Sequence, residues 1–235
     1  MSERAKPGRL GVGIIGAGRV GPVLGAALAG AGHAIVGIDA TGDDAVDRIE
    51  AVLPGARVLD IPTIVERSEL VILAVPTDEL PGLVAGLAAT GAWQPGQIVV
   101  HTAAEHGTAV LRPAAERGAI PIALHPAMTF TGTSLDLTRL LESTVAVTAA
   151  APVLPIGQAL AVEMGAEPIV VDEADRPAYA EAVAAARDFA EGIVAQALRQ
   201  LHEIGVERPS RVIGGVVRTA VESALARYPD PPIEP

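Results

Sequence analysis

With 235 residues and no cysteine, the chain has room for one large domain or two small ones, and it excludes disulfides, thiolate nucleophiles and cysteine metal sites. Its net charge of −11 includes no basic block, which argues against nucleic acid or an anionic membrane surface as partner. Half the residues are hydrophobic but only 2% are aromatic, so the core must be built from Ala, Val, Leu and Ile.

The polar residues 1–7 lack the apolar centre of a signal peptide, and no apolar run approaches the ~18 residues of a membrane helix. A soluble, cytoplasmic protein is expected. Lys6, the only lysine, lies in this arm, which is expected to be disordered. No lysine acid, base or Schiff base is then available inside the fold, and basic roles fall to arginine, which does not shuttle protons.

In chain order, the apolar run 10–15 reads as a buried strand and residues 20–29 as a helix. A second strand over 34–38 ends at Asp39, and a helix over 43–53 is broken by Pro54-Gly55. Strands follow at 57–59, 70–75, 97–101 and 120–124, with a helix over 79–89. Strands alternating with helices mean crossover units and a parallel sheet, and continuous apolar runs fit strands buried on both faces. Past Phe130 the pattern predicts strands at 144–148 and 168–171, and helices at 155–164, 175–204 and 209–227. The expected architecture is α/β: a Rossmann-type doubly wound parallel sheet over residues 1–150, then a mainly helical C-terminal domain over 151–235.

Gly16, Gly18 and Gly21 stand at G-x-G-x-x-G spacing between the first strand and its helix, in the run Gly16-Ala17-Gly18-Arg19-Val20-Gly21. The first glycine allows the sharp turn, the second lets a pyrophosphate approach the backbone, and the third lets helix and strand pack closely. Asp39, about 20 residues on, is placed to accept from a ribose 2′-hydroxyl. A carboxylate there repels a 2′-phosphate, and residues 40–44 supply no arginine, so NAD is favoured over NADP. Arg19 either contacts phosphate or pairs with a carboxylate on the helix's first turn.

Ligands in such sheets lie beyond the C-terminal strand ends. His101, Glu105, His106 and His125 gather after two of those ends. Their spacing matches no established metal pattern, and no metal is expected. His125, held extended by Pro126, is a candidate general acid or substrate anchor; the alternative is a hydrogen bond that holds the loop.

On the long helix, Tyr179, Val183, Ala186, Ala190, Ile193, Ala197, Leu201 and Ile204 form one apolar stripe, on which Tyr179 reads as core. The opposite face carries small residues around Asp188. Facing a cleft, that carboxylate would be desolvated and able to pass a proton; on an open face it would pair with Arg187, Arg199 or solvent. So long a helix suggests packing against a partner subunit.

Gly16-Ala17-Gly18-Arg19-Val20-Gly21, Ala74-Val75-Pro76-Thr77-Asp78 and His125-Pro126-Ala127-Met128-Thr129-Phe130 together resemble the bacterial Rossmann-like proteins with a C-terminal domain of unknown function. These belong to the superfamily with a 6-phosphogluconate dehydrogenase-like C-terminal domain. The likeness runs over about residues 10–226, and the His-Pro-Ala-Met-Thr-Phe run is its most specific part. It implies an N-terminal NAD(P)-binding domain, with Val75, Pro76 and Thr102 joining the glycine loop at the cofactor, and a helical domain that forms a homodimer. It also keeps NADP open, because relatives use it. Two departures stand out. Ala103-Ala104 replaces a Ser-Gly pair that holds substrate in relatives, and Ala184 and Asp188 occupy the places of a lysine and an asparagine.

The expected function is an NAD(P)-dependent oxidoreductase moving a hydride to or from a small 2-oxo or 2-hydroxy acid or an imine, with His125 and Asp188 as catalytic candidates. The alternative, favoured by both departures, is a non-catalytic dinucleotide-binding regulator.

Overall fold

The computed structural model describes residues 9–228; the arm carrying Lys6 lies outside the described residues. The chain divides into two compact units, Met1–Glu181 and Ala182–Pro235, a division later than the boundary expected after residue 150.

The first unit runs β1 (Gly11–Ile15), α1 (Gly21–Gly30), β2 (Ala34–Asp39), α2 (Asp43–Val52), α3 (Ile61–Arg67), β3 (Leu70–Leu73), α4 (Leu80–Ala89) and β4 (Ile98–His101). It continues through α5 (Arg112–Ala115), β5 (Ile120–Pro126), α6 (Leu135–Leu140), β6 (Thr144–Thr148), α7 (Leu154–Glu163) and β7 (Glu167–Val170). All seven strands form one sheet in the order β2-β1-β3-β4-β5-β6-β7. The sheet therefore extends past residue 150, because β7 pairs with β6, Val145 opposite Pro168.

Both faces of the sheet are covered. Ile14, Ile72, Val100 and Ile122 enter one apolar cluster, whereas their neighbours Ile15, Val71 and Val99 enter the other with Leu80, Val84 and Trp93. Alternate side chains point to opposite faces, so a strand buried on both must be apolar throughout, as Leu70–Leu73 is.

Three expectations change. The strand expected at 57–59 is an isolated bridge between Ile38 and Val58, with Val58 about half exposed. The sheet is not wholly parallel: β5 and β6 run antiparallel, Ala123 opposite Thr148, since the short α6 turns the chain back without a crossover helix. Helix α3 was not foreseen, although its start is legible: Asp60 caps it by accepting the Thr63 amide at 2.8 Å, with a proline in its first turn.

The remaining helices are α8 (Arg176–Glu203), which begins in the first unit and ends in the second, and α9 (Pro209–Arg227). No residue of α9 is buried, and α8 buries only Arg176. Among the described residues no helix is long and apolar enough to cross a membrane.

Candidate functional site

The C-terminal ends of five strands, β1 to β5, bring the expected site residues other than Asp188 to one edge of the first unit. The glycine loop leaves β1 through Gly16, whose φ of +103° belongs to the left-handed region; a Cβ there would stand 2.5 Å from the Ala74 carbonyl oxygen. A Cβ on Gly21 would collide with the Gly16 carbonyl oxygen and press on Ile14, so this glycine seats α1 against β1. Gly18 differs from both. It is exposed, and a Cβ on it would meet nothing within 4 Å. The space above Gly18 is thus open, as close approach by a phosphate requires.

A cleft of about 400 Å³ opens beside this loop, lined by Gly16, Ala17, Gly18, Asp39, Val75 and Pro76, with Arg48 of α2 among its other walls. Burial pushes the Asp39 carboxyl up from its ordinary value. Arg48 donates from Nη1 to the Ala17 carbonyl at 2.6 Å, which ties α2 to the glycine loop. It was missed because it sits outside residues 40–44, one helical turn and more into α2. The fold brings it back to the loop.

Of the residues expected at a cofactor, five line the cleft; Arg19, Val20 and Gly21 lie on the adjoining turn. Thr102 lies outside that lining, after β4, where its amide donates to the Leu73 carbonyl at 3.3 Å. A second brace comes from Asp136 of α6. Its carboxylate accepts the amides of Thr131 and Gly132, each at 2.8 Å, and a Cβ on Gly132 would stand 3.2 Å from the side chains of Arg19 and Arg48.

The histidines separate. His101 is fully buried: Nε2 donates to the Gly107 carbonyl at 2.8 Å, and Nδ1 accepts the Ala103 amide at 3.2 Å. Desolvation lowers its pKa to about 4, so the ring is neutral and structural. His106 pairs with Glu105 at 3.6 Å. His125, half-buried at the end of β5, shares a 2.9 Å hydrogen bond from Nδ1 to the Tyr179 hydroxyl. Tyr179, expected to be only core, is therefore a neighbour of the candidate catalytic group.

Beneath Tyr179 lies Arg176, fully buried and also missed by sequence reasoning. Its Nε donates to Thr148 Oγ1 at 2.7 Å, and Nη2 donates to the carbonyls of Ala123 and Ala146, each at 3.1 Å. No carboxylate lies within 4.0 Å of it among the described residues, although burial lowers its pKa and Glu173 opposes that. Glu173 accepts the amides of Thr108 (2.6 Å) and Ala109 (3.0 Å). Burial would raise its pKa, but those bonds hold it below the usual carboxylate range.

Asp188 lies in the second unit, with its side chain 64% exposed, and accepts from Arg187 Nε at 2.8 Å. Of the two settings expected for it, this is the open face with the Arg187 pair.

A family model described as a Rossmann-like domain matches residues 1–126, and one described as a domain of unknown function (DUF2520) matches 143–231. No curated protein matches the chain. Among solved structures, the chain is similar to a Bacteroides fragilis protein provisionally named an NADP oxidoreductase, at 17% identity and a TM-score of 0.73, covering 92% of this chain and 80% of that one. It is similar to a reductive aminase from Aspergillus terreus in complex with NADPH and ethyl-5-oxohexanoate (14%, TM-score 0.67, 92% and 74% covered). It is also similar to a pyrroline carboxylate reductase from Plasmodium falciparum with NADP bound (10%, TM-score 0.66, 96% and 82% covered). These likenesses are of fold; the family rests on the match over more than half the chain: the protein belongs to the Rossmann-like domain family, followed by a domain of unknown function (DUF2520).

Proposed function

We propose that the first unit binds a nicotinamide dinucleotide and that the protein is an NAD(P)-dependent oxidoreductase of a small 2-oxo or 2-hydroxy acid or an imine. The observation that carries this reading is the contrast within the glycine loop: Gly16 and Gly21 have no room for a side chain, whereas Gly18 faces open space beside Asp39's cleft. Here that space suits a pyrophosphate, whose charge would rest against the N-terminal amides of α1. The named cofactors of the structural neighbours support the same class of ligand.

In this reading Gly16, Gly18, Arg19, Val20 and Gly21 hold the pyrophosphate, Asp39 faces the adenosine ribose, and Val75, Pro76 and Thr102 follow the cofactor along the strand ends. When bound, the cofactor supplies or accepts the hydride. His125 then holds the proton exchanged with the substrate's oxygen or nitrogen. Asp188, exposed and ion-paired, has no role in this scheme.

For NAD, the support is Asp39 alone; Arg48 in the same cleft suits a 2′-phosphate, as do neighbours bound to NADP or NADPH. Fluorescence titration with NADH and NADPH tests binding and preference together. Absence of binding by both would overturn the reading, and tighter NADPH would assign the choice to Arg48. A panel of 2-oxo acids and imines, followed by loss of reduced-cofactor absorbance, then tests turnover. Binding without turnover would favour a regulatory protein, the reading that Ala103-Ala104 and the absence of lysine beyond Lys6 support. We also propose a homodimer formed through the C-terminal helices, since the second unit leaves large apolar side chains exposed.

A further inference from the structure

We propose that Tyr179 is the positioning residue of His125: its hydroxyl donates to Nδ1 and so keeps the proton of the neutral imidazole on Nε2. The inference rests on the role given to His125 above.

The two side chains meet at 2.9 Å between Nδ1 and Oη, with ring centroids 5.6 Å apart and planes at 80°. Either atom can donate in principle. Two observations choose between them. Tyr179 keeps its proton, because desolvation raises its pKa more than Arg176 lowers it, so a donor is present. The Arg176 guanidinium lies 5.9 Å from the tyrosine ring centroid. A fixed cation there draws electron density from the phenol, making the hydroxyl a better donor and a poorer acceptor. It follows that a neutral ring accepting at Nδ1 carries its proton at Nε2.

The placement of Tyr179 is itself held in depth. Arg176, one turn earlier on α8, joins the carbonyls of Ala123 on β5 and Ala146 on β6 to the Thr148 hydroxyl, whose own proton goes to the Val171 carbonyl. Ala123 lies two residues before His125 on the same strand. The helix start carrying Tyr179 and the strand carrying His125 are thereby tied by one buried side chain, which fixes their distance without a loop between them. Such a rigid first neighbour is what orients a catalytic imidazole.

The test is nitrogen NMR of the full-length protein labelled with ¹⁵N-histidine, with His125 identified by the signal lost in His125→Ala. The expected wild-type spectrum shows Nδ1 unprotonated and Nε2 protonated in the neutral ring. In Tyr179→Phe, which keeps the ring and its packing, both tautomers appear, the Kd for NADH is unchanged, and kcat falls roughly ten- to a hundredfold with little change in KM, because a ring protonated at Nδ1 presents no donor at Nε2 to the reacting oxygen or nitrogen. A protonated Nδ1 in the wild type, or identical tautomer signals in both proteins, would overturn the proposal. Full turnover by His125→Ala would instead overturn the catalytic role beneath it while leaving the tautomer result standing.

Discussion

His101 and Gly107 close on one another: Nε2 of the ring donates to the Gly107 carbonyl at 2.8 Å, and the same ring accepts the Ala103 amide at Nδ1. Protonation would turn Nδ1 into a second donor facing a donor, inside a site with no exposure to water. Burial therefore lowers the pKa from 6.5 to about 4. A histidine lowered on folding binds more protons when unfolded, so stability rises with pH between about 4 and 6.5 and is lost on acidification through that window. The contribution is about 3 kcal/mol across it. Urea denaturation at stepped pH checks this. His101→Gln should be less stable at pH 7 and should lose most of the slope between pH 6.5 and 5; an unchanged slope would place the acid sensitivity elsewhere.

Two glycines of one motif should respond oppositely to the same methyl group. In Gly21→Ala the Cβ runs into the Gly16 carbonyl, which is backbone and cannot move aside, so a loss of about 1–3 kcal/mol in stability is expected. Gly18→Ala meets nothing within 4 Å and should leave the melting temperature within a degree or two of wild type. Its methyl group instead occupies the space proposed for the pyrophosphate, and NADH binding should weaken at least about tenfold, roughly 1.4 kcal/mol. A Gly18→Ala protein that binds NADH normally would show the open space to be unused.

Removing the Arg176 guanidinium should be costly. Arg176→Met fills much of the volume but leaves the carbonyls of Ala123 and Ala146 without this donor, at about 1–3 kcal/mol for each buried group left unsatisfied, and takes from the Thr148 hydroxyl one of its two bonds. Against that, a buried cation with no carboxylate within 4.0 Å among the described residues is itself expensive, and an apolar replacement recovers its desolvation. The three simultaneous donations decide the sign: a net loss of about 3 kcal/mol is expected, read as a lower urea midpoint. Equal or greater stability in the methionine variant would mean that desolvation dominates.

Reading residues in order made the sheet legible where both faces are buried, since an apolar run such as Leu70–Leu73 has no other use in a short segment. It overreached at residues 57–59, where the only ladder contact is the bridge between Ile38 and Val58. The glycine loop and Asp39 were legible because their chemistry is local. Arg48, Arg176 and Tyr179 were not: each acts on a partner far along the chain, Arg48 on Ala17, Arg176 on Ala123 and Ala146, Tyr179 on His125. Spacing within a helix marks the face a residue occupies. It carries no record of which strand end that face will meet.

The second unit bears on assembly. Phe189, Ile193, Val216 and Leu225 are each about two-thirds exposed, and α9 buries no residue. Apolar area of this kind gains about 25 cal/mol per Å² when it leaves water, and monomers rarely leave contiguous patches beyond a few hundred Å² uncovered. A second copy presents the same helices and so the same apolar side chains, which is how a two-fold interface becomes self-complementary. Sedimentation equilibrium should therefore report a dimer. Ile193→Asp combined with Leu225→Asp places carboxylates where desolvation is unfavourable and should give monomers, while the first unit, with its own apolar clusters, keeps its NADH affinity if the cofactor site is complete within one chain. A wild-type protein that stays monomeric at high concentration would remove the self-association, and those side chains would then need another partner.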